Sequence, residues 1–438
     1  DNCTGPWFPT DIPDQVIGAA RKRLDRVGVP IEPRAQWPTG MDRLGVPFAK
    51  GGPLEKFHAA YEAGDTFLFT PPYTTSGGPH VRDALDQKRM MIIVVLALIP
   101  CILMAMFNTG YQAFLAVEQG GRLLDSWQAS VYGALGLAVS STSLLGCMVY
   151  GALHFLPILV VTFAAGGAFE VLFAIVRGHE VNEGLLVTGF LIPLVLPATI
   201  PLWQVAMGTA FGVVIGKEIF GGSGMNFLNP ALVARAFLFF AYPAQISGNV
   251  WVAAVPADGR SGATWLSSYA EGAGHLPGLT FSDAFLGLIP GSMGETSVVA
   301  ILLGAAVLLL TRIGAWQTML GVVVGTAVTA IGLTAIGSAT NPMLNLPWYW
   351  HFVLGGWAFG AVFMATDPVS SAFTATGKLV YGVLIGLLCV LIRCVNPAYP
   401  EGMMLAILFM NMFAPLIDHA VVRANIKRRA ARYVRSST

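Results

Sequence analysis

The chain is 438 residues long, 55% apolar and only 11% charged, with a mean hydropathy of +0.66, where an ordinary soluble domain carries about 25% charged residues. That excludes a disordered chain and a nucleic-acid-binding protein. The formal net charge of +1 says nothing about partners, because it averages a polar head, an apolar body and a basic end.

The polar head comes first. Residues 1–89 hold 22 of the 49 charged residues and 11 of the 27 prolines, which cut the stretch into short helices and extended pieces. The chain opens Asp1-Asn2-Cys3 with neither a methionine nor an apolar run, so a trimmed start is expected and no secretory signal is visible. One patch, 15–27, predicts an amphipathic helix with Val16, Ala19, Ala20, Leu24 and Val27 on one face. It suits either docking to a membrane surface or partner, or packing within its own segment.

From Met90 the pattern changes to apolar runs of about 20 residues, the length that crosses roughly 30 Å of hydrocarbon. Ten are predicted: 90–108, 149–176, 184–200, 201–221, 229–247, 296–311, 316–337, 350–366, 379–395 and 402–422. Residues 127–148, rich in Ser and Gly, read as a loop with a re-entrant or interfacial helix. With ten spans, Arg82, Lys88, Arg89, Arg177, Lys217, Arg312, Lys378 and the six basic residues after 422 share one side, and only Arg122, Arg260 and Arg393 fall on the other. The positive-inside rule then makes both termini cytoplasmic. The domains follow: 1–89 a cytoplasmic segment, 90–247 a first membrane half, 248–295 a periplasmic loop, 296–422 a second half, and 423–438 a basic cytoplasmic tail.

A weak repeat joins the halves. Asn229-Pro230-Ala231 opens one span and Asn396-Pro397-Ala398 another, 167 residues on, and each follows a glycine-spaced span (Gly208, Gly212, Gly216; Gly382, Gly386). Five spans per half is an odd number, which places the halves in opposite orientations. The predicted fold is an all-α polytopic membrane protein of two five-helix inverted repeats, with a ligand site between them. The five cysteines (3, 101, 147, 389, 394) form no CxxC and read as small packing residues.

The stretch most informative about chemistry is Asp258-Gly259-Arg260-Ser261-Gly262-Ala263-Thr264, a small-residue loop that would present a hydroxyl without steric cover. The full D-x-x-S-G-A-T resembles the acceptor at which a flavin transferase links FMN by a phosphoester to a threonine. From about 57 to 429 the chain resembles the family formed by the B subunit of the sodium-translocating NADH:quinone oxidoreductase and the D subunit of the Rnf complex. The likeness rests on His80-Val81-Arg82-Asp83, Gly166-Gly167, Glu170, His179-Glu180-Val181-Asn182-Glu183-Gly184, Asn226-Phe227-Leu228-Asn229-Pro230, Arg235-Ala236-Phe237-Leu238-Phe239-Phe240, Gly291-Ser292-Met293-Gly294-Glu295, Met364-Ala365-Thr366-Asp367-Pro368-Val369 and Pro415-Leu416-Ile417-Asp418-His419.

That resemblance implies a bacterial inner-membrane subunit with FMN on Thr264 (Asp258, Ser261, Gly262 and Ala263 completing the motif), a non-covalent riboflavin between helices, ubiquinone as electron acceptor and Na+ as the coupled ion. It implies as partners the FMN-bearing C subunit, the membrane subunits D and E, the NADH-oxidising F, and A, with a flavin transferase for maturation. For riboflavin, Asn226 and Asn229 would serve the polar edge of the ring system and Phe237 and Phe239 its faces, or the asparagines cap a helix and the phenylalanines face lipid. Gly166 and Gly167 would admit a flat quinone, or simply let helices pack. Residues 1–89 would cover that site as a lid. Intramembrane carboxylates are costly, so Glu170, Asp367 and Asp418 are candidates for a sodium path, or pair with a nearby Arg or cap a helix end. The rival readings are the Rnf subunit and, in another class, a urea-channel-like transporter, which has no use for the flavin loop.

Overall fold

The computed structural model describes residues 46–48, 53–54, 61, 87–177, 184–257, 262–272, 280–396 and 399–437. The expected helix at 15–27, most of the proposed lid, the histidine motifs at 80–83 and 179–182, Pro397-Ala398, and Asp258 and Ser261 lie outside them. The chain divides into two compact units, Asp1–Thr70 and Pro71–Thr438. In the first, a 3-10 turn at Val46–Phe48 precedes Tyr61, whose ring stacks on Phe48 at 5.2 Å.

The second unit is built of helices. In chain order they are α1 (Gln87–Glu118), α2 (Trp127–Ala134), α3 (Leu144–Arg177), α4 (Gly184–Leu194), α5 (Leu202–Gly216), α6 (Pro230–Ala241), α7 (Trp265–Ala270) and α8 (Phe281–Leu286). Then come α9 (Val298–Leu310), α10 (Trp316–Ile336), α11 (Trp350–Val353), α12 (Trp357–Phe359, running on into a π turn at Gly360–Met364), α13 (Ala375–Val395) and α14 (Met403–Ser437). Each of the ten apolar runs contains a helix. Among the described residues, however, only α1, α3, α10, α13 and α14 are long and apolar enough to cross a membrane. With 11, 12 and 13 residues, α4, α6 and α9 reach about 16–20 Å at 1.5 Å per residue, short of the roughly 30 Å needed. The stretch 127–148 yields the eight residues of α2, about 12 Å, closed by a Tyr132 hydroxyl donating to the Ala138 carbonyl at 2.8 Å, and then the first turn of α3 from Leu144.

Proline and glycine cause the breaks. Pro197 and Pro201 stop the run that starts at α4, leaving 195–200 irregular yet largely buried. Irregular backbone at that depth needs partners for its carbonyls. The N–H groups of Gly294 and Met293 supply them, donating to Leu194 O at 2.7 Å and Leu196 O at 3.2 Å. A side chain at 294 would collide with Leu194, so only glycine allows this approach. The second break falls at Gly355 (φ +66°) and Gly356, between α11 and α12. Arg393, fully buried, donates to the carbonyls of His351 (2.8 Å), Leu354 (2.8 Å) and Glu401 (3.1 Å).

Packing repeats between the halves. α3 lies along α5 and α5 along α6, as α10 lies along α13 and α13 along α14; α1 meets α4 as α9 meets α12. The halves touch through α1 with α9 and α6 with α14. The glycine spacings do not match in partner, however. Gly208, Gly212 and Gly216 face α6, whereas Gly382 and Gly386 face α10, whose Gly321 and Gly325 face them in turn. The two loops assigned to one side do meet: Arg122–Leu123 (β1) pairs antiparallel with Ala254–Val255 (β2). Cys101, Cys147, Cys389 and Cys394 are buried free thiols, in keeping with packing roles.

The α10–α13 contact gives a direct test. A side chain on Gly325 would overlap the Val383 carbonyl, while one on Gly332 meets nothing within 4 Å. Gly325→Val should cost at least about 1–3 kcal/mol through overpacking and lower the unfolding temperature of the detergent-solubilised protein. Gly332→Ala should hold or raise it, by up to about 1 kcal/mol of helix propensity.

Candidate functional site

Two places gather the candidate residues. The first is a cavity of about 410 Å³ between α1, α4, the 217–230 segment, the end of α9 and residues 363–369. That volume is in the range of small-molecule sites. Asn229 lines it and caps α6, its Oδ1 accepting from Ala231 N (3.0 Å) and Leu232 N (3.4 Å). Asn226 donates through Nδ2 to Leu228 O at 2.9 Å. The opposite atom of each amide is therefore the one available to a guest. Asp367 faces the same space; its Oδ1 accepts from Val369 N (3.2 Å) and its Oδ2 from the Ser370 hydroxyl (2.6 Å). Phe363, held in the π turn, offers an aromatic wall. π turns often mark functional sites.

Phe237 and Phe239 are not brought there. Phe237 stacks on Phe211 at 4.4 Å and lines an apolar groove between α6, α13 and α14. Phe239 meets Tyr399 edge-on at 4.6 Å, near Thr264. Two further cavity residues stand outside the sequence-predicted set. Ser223 places a buried hydroxyl there with no hydrogen-bond partner among the described residues. Lys217 reaches the cavity while ion-pairing with Glu170, and lies 3.7 Å from Glu218, which in turn is 3.8 Å from Arg177. All of Glu170, Lys217 and Glu218 are buried. A lone lysine in an apolar run, within reach of an intramembrane glutamate, is the signal that could have found this network.

Gly166 is packed by Leu185 and Thr209, so its missing side chain serves a helix contact; Gly167 is more open, with only Leu185 near. Asp418 caps α13: its carboxylate accepts from Phe373 N (2.6 Å), Thr374 N (3.0 Å) and the Thr374 hydroxyl (2.5 Å), where the helix dipole favours an anion.

The second place surrounds Thr264. Contrary to the expectation of an uncovered hydroxyl, Thr264 is only 7% exposed, and its Oγ1 caps α7 by accepting from Ser267 N at 3.2 Å. The small residues before it serve packing, since a side chain on Gly262 would sit 2.6 Å from the Asn249 carbonyl. Two crevices of about 20 and 30 Å³ flank Thr264, and Glu401 lines both. Arg235 pairs with Glu295 (2.7 Å) and Ser292 (3.2 Å) at their base. The Tyr399 hydroxyl, buried in the larger crevice, has no partner among the described residues.

Residues 74–427 match the family model described as NQR2, RnfD, RnfE. A protein of Chromohalobacter salexigens, named as the B subunit of a Na(+)-translocating NADH-quinone reductase, is 60% identical over 395 residues, 90% of this chain and 95% of that one. Proteins of the same name from Pseudomonas aeruginosa strain LESB58 and Klebsiella pneumoniae strain 342 are 57% and 54% identical, each over 90% of this chain and 98% of their own. With its five long apolar helices and a match over most of its length, the chain belongs to the NQR2, RnfD, RnfE family of membrane proteins.

Proposed function

We propose that the chain is the B subunit of a sodium-translocating NADH:quinone oxidoreductase. It carries FMN on Thr264 and riboflavin in the central cavity, and passes electrons to ubiquinone with coupled Na+ movement. The observation that carries this reading is the acceptor sequence ending at Thr264, set in a chain whose relatives bear that subunit's name over nine-tenths of its length. Those names favour the quinone-reducing member over the Rnf subunit. NADH oxidation and the iron–sulfur centres fall to the other subunits, A, C, D, E and F, and a flavin transferase loads Thr264.

Bound flavins supply the one- and two-electron chemistry; the protein holds and tunes them. The residues present fit such groups. At the cavity, Asn226, Asn229 and the orphaned Ser223 hydroxyl would hold a polar ring edge, and Phe363 would cover a face. Lys217 sets a buried positive charge against the same space, where electrostatic effects are stronger than in water. At Thr264, the crevices are too small for a ring system and suit the phosphoester end. The buried hydroxyl implies that the transferase acts before α7 docks, or on an opened loop.

For quinone, Gly167 is the accessible member of the pair, Gly166 being closed by Leu185. For sodium, Glu170 and Glu218 form the inner acidic pair with Lys217 as resident counter-cation, and Asp367 and Asp418 extend the path. The repeated packing of α3, α5 and α6 in α10, α13 and α14 supports two inverted five-helix halves, with the short helices as broken spans. In that topology both termini and the basic tail are cytoplasmic, and the Thr264 loop is periplasmic.

Thr264→Asn keeps a capping acceptor but has no hydroxyl to esterify. In a host with the transferase it should fold as the parent does, while the residue-264 peptide loses its flavin mass and the denatured band its fluorescence. A bare wild-type peptide would sink the assignment. Asn226→Leu and Ser223→Ala should lower the riboflavin extracted from denatured protein several-fold with the covalent flavin retained, and Phe237→Leu, away from the cavity, should not. Membrane-impermeant maleimide applied from the periplasm should label Ser141→Cys and spare Ser436→Cys; the reverse would overturn the topology.

A further inference from the structure

The Tyr399 phenol is 5% exposed, and its hydroxyl finds no hydrogen-bond partner among the described residues. Buried hydroxyls are rarely left this way unless something outside the protein chain takes the bond. Its ring is fixed by the edge of Phe239 at 4.6 Å, so the hydroxyl cannot swing out to solvent without undoing that contact. Tyr399 shares a crevice of about 30 Å³ with Thr264. That exceeds the roughly 10–15 Å³ that one water requires. It is far below what a three-ring system fills, but it suits the small group that joins a nucleotide to a threonine oxygen.

The charged groups around this crevice are committed. Arg235 is taken by Glu295 and Ser292. Glu401 accepts from Gly356 N at 3.0 Å. Burial pushes the Tyr399 phenol above its usual range, with Glu401 and Glu295 adding to the shift and Arg235 opposing it, so at neutral pH it keeps its proton. A neutral donor beside a carboxylate is what an added monoanion needs in this place.

Building on the reading of Thr264 as the flavin acceptor, we propose that the Tyr399 hydroxyl donates to a non-bridging phosphate oxygen of the FMN esterified there, which makes Tyr399 the positioning residue for the covalent flavin. The phosphate is then held at the crevice while the ring system lies beyond its rim.

The test uses the assembled complex, expressed with its flavin transferase and purified in phosphate-free detergent. The phosphorus NMR resonance of the Thr264 phosphodiester is assigned by its loss in Thr264→Asn. Tyr399→Phe keeps the ring against Phe239 and removes only the hydroxyl. It should leave the mass of the residue-264 peptide unchanged, move the assigned resonance toward that of a solvent-exposed phosphodiester, and lower the steady-state fluorescence anisotropy of the covalent flavin. A modified peptide with unmoved resonance and anisotropy would overturn the role of Tyr399 and leave the attachment standing. A wild-type peptide lacking the flavin mass would overturn both.

Discussion

A backbone carbonyl inside hydrocarbon must find a donor, and much of the membrane unit is organised by that requirement. Continuous helices meet it internally, and five helices are long enough to do so across a bilayer. Two of the other apolar runs are broken, one by Pro197 and Pro201 and one by Gly355 and Gly356, each break freeing buried carbonyls. One set is answered by the N–H groups of Met293 and Gly294, the other by the three-way donation of Arg393. A guanidinium suits the second task because its donors are fixed in one plane and stay protonated.

The two repairs converge on the same place. The segment that serves Leu194 and Leu196 also carries Ser292 and Glu295, which fix Arg235 beneath Thr264. The residue whose carbonyl Arg393 holds, Glu401, sends its carboxylate to Gly356 N and lines both crevices at Thr264. The residues that line the crevices at Thr264 are therefore tied to both repairs. Such anchoring would serve the flavin proposed for Thr264, since a site held on locked elements keeps its distances. The central cavity has a different basis. Neither break lines it, and the loop that enters α6 brings Asn226 and Asn229 to its wall.

Much of this was legible in the sequence, and the remainder was hidden for definite reasons. The apolar runs located every major helix, because burial in lipid leaves a compositional mark. Their lengths were overestimated at 184–200, 201–221, 229–247 and 350–366, because hydropathy counts buried irregular backbone as though it were helix. Asn229 was readable both as a cap and as a cavity residue, and is both. Asp418 and Glu170 adopt the cap and the ion pair that composition alone could only offer as alternatives. Phe237 and Phe239 went astray because their spacing on α6 cannot say which neighbour each ring meets; one faces a groove and the other Tyr399. Ser223 and Tyr399 gave no local signal, since their significance lies in a missing partner set by the fold, whereas Lys217 stood out as a lysine in an apolar run and only its partner was hidden.

On the proposed reading, the oxygen of Thr264 takes two roles that at first conflict. As a cap it accepts from Ser267 N and starts α7; as an acceptor of FMN it must lose its proton and gain a substituent. Capping uses a lone pair and esterification uses the O–H bond, so both can hold at once provided the substituent leaves along the direction the proton occupied. The crevices on either side of Thr264 would supply that exit. An asparagine in its place would cap without accepting, and an alanine would do neither. A serine would retain both functions without the methyl group that fixes the rotamer of a β-branched side chain. The choice of threonine is thus explained by orientation as much as by chemistry.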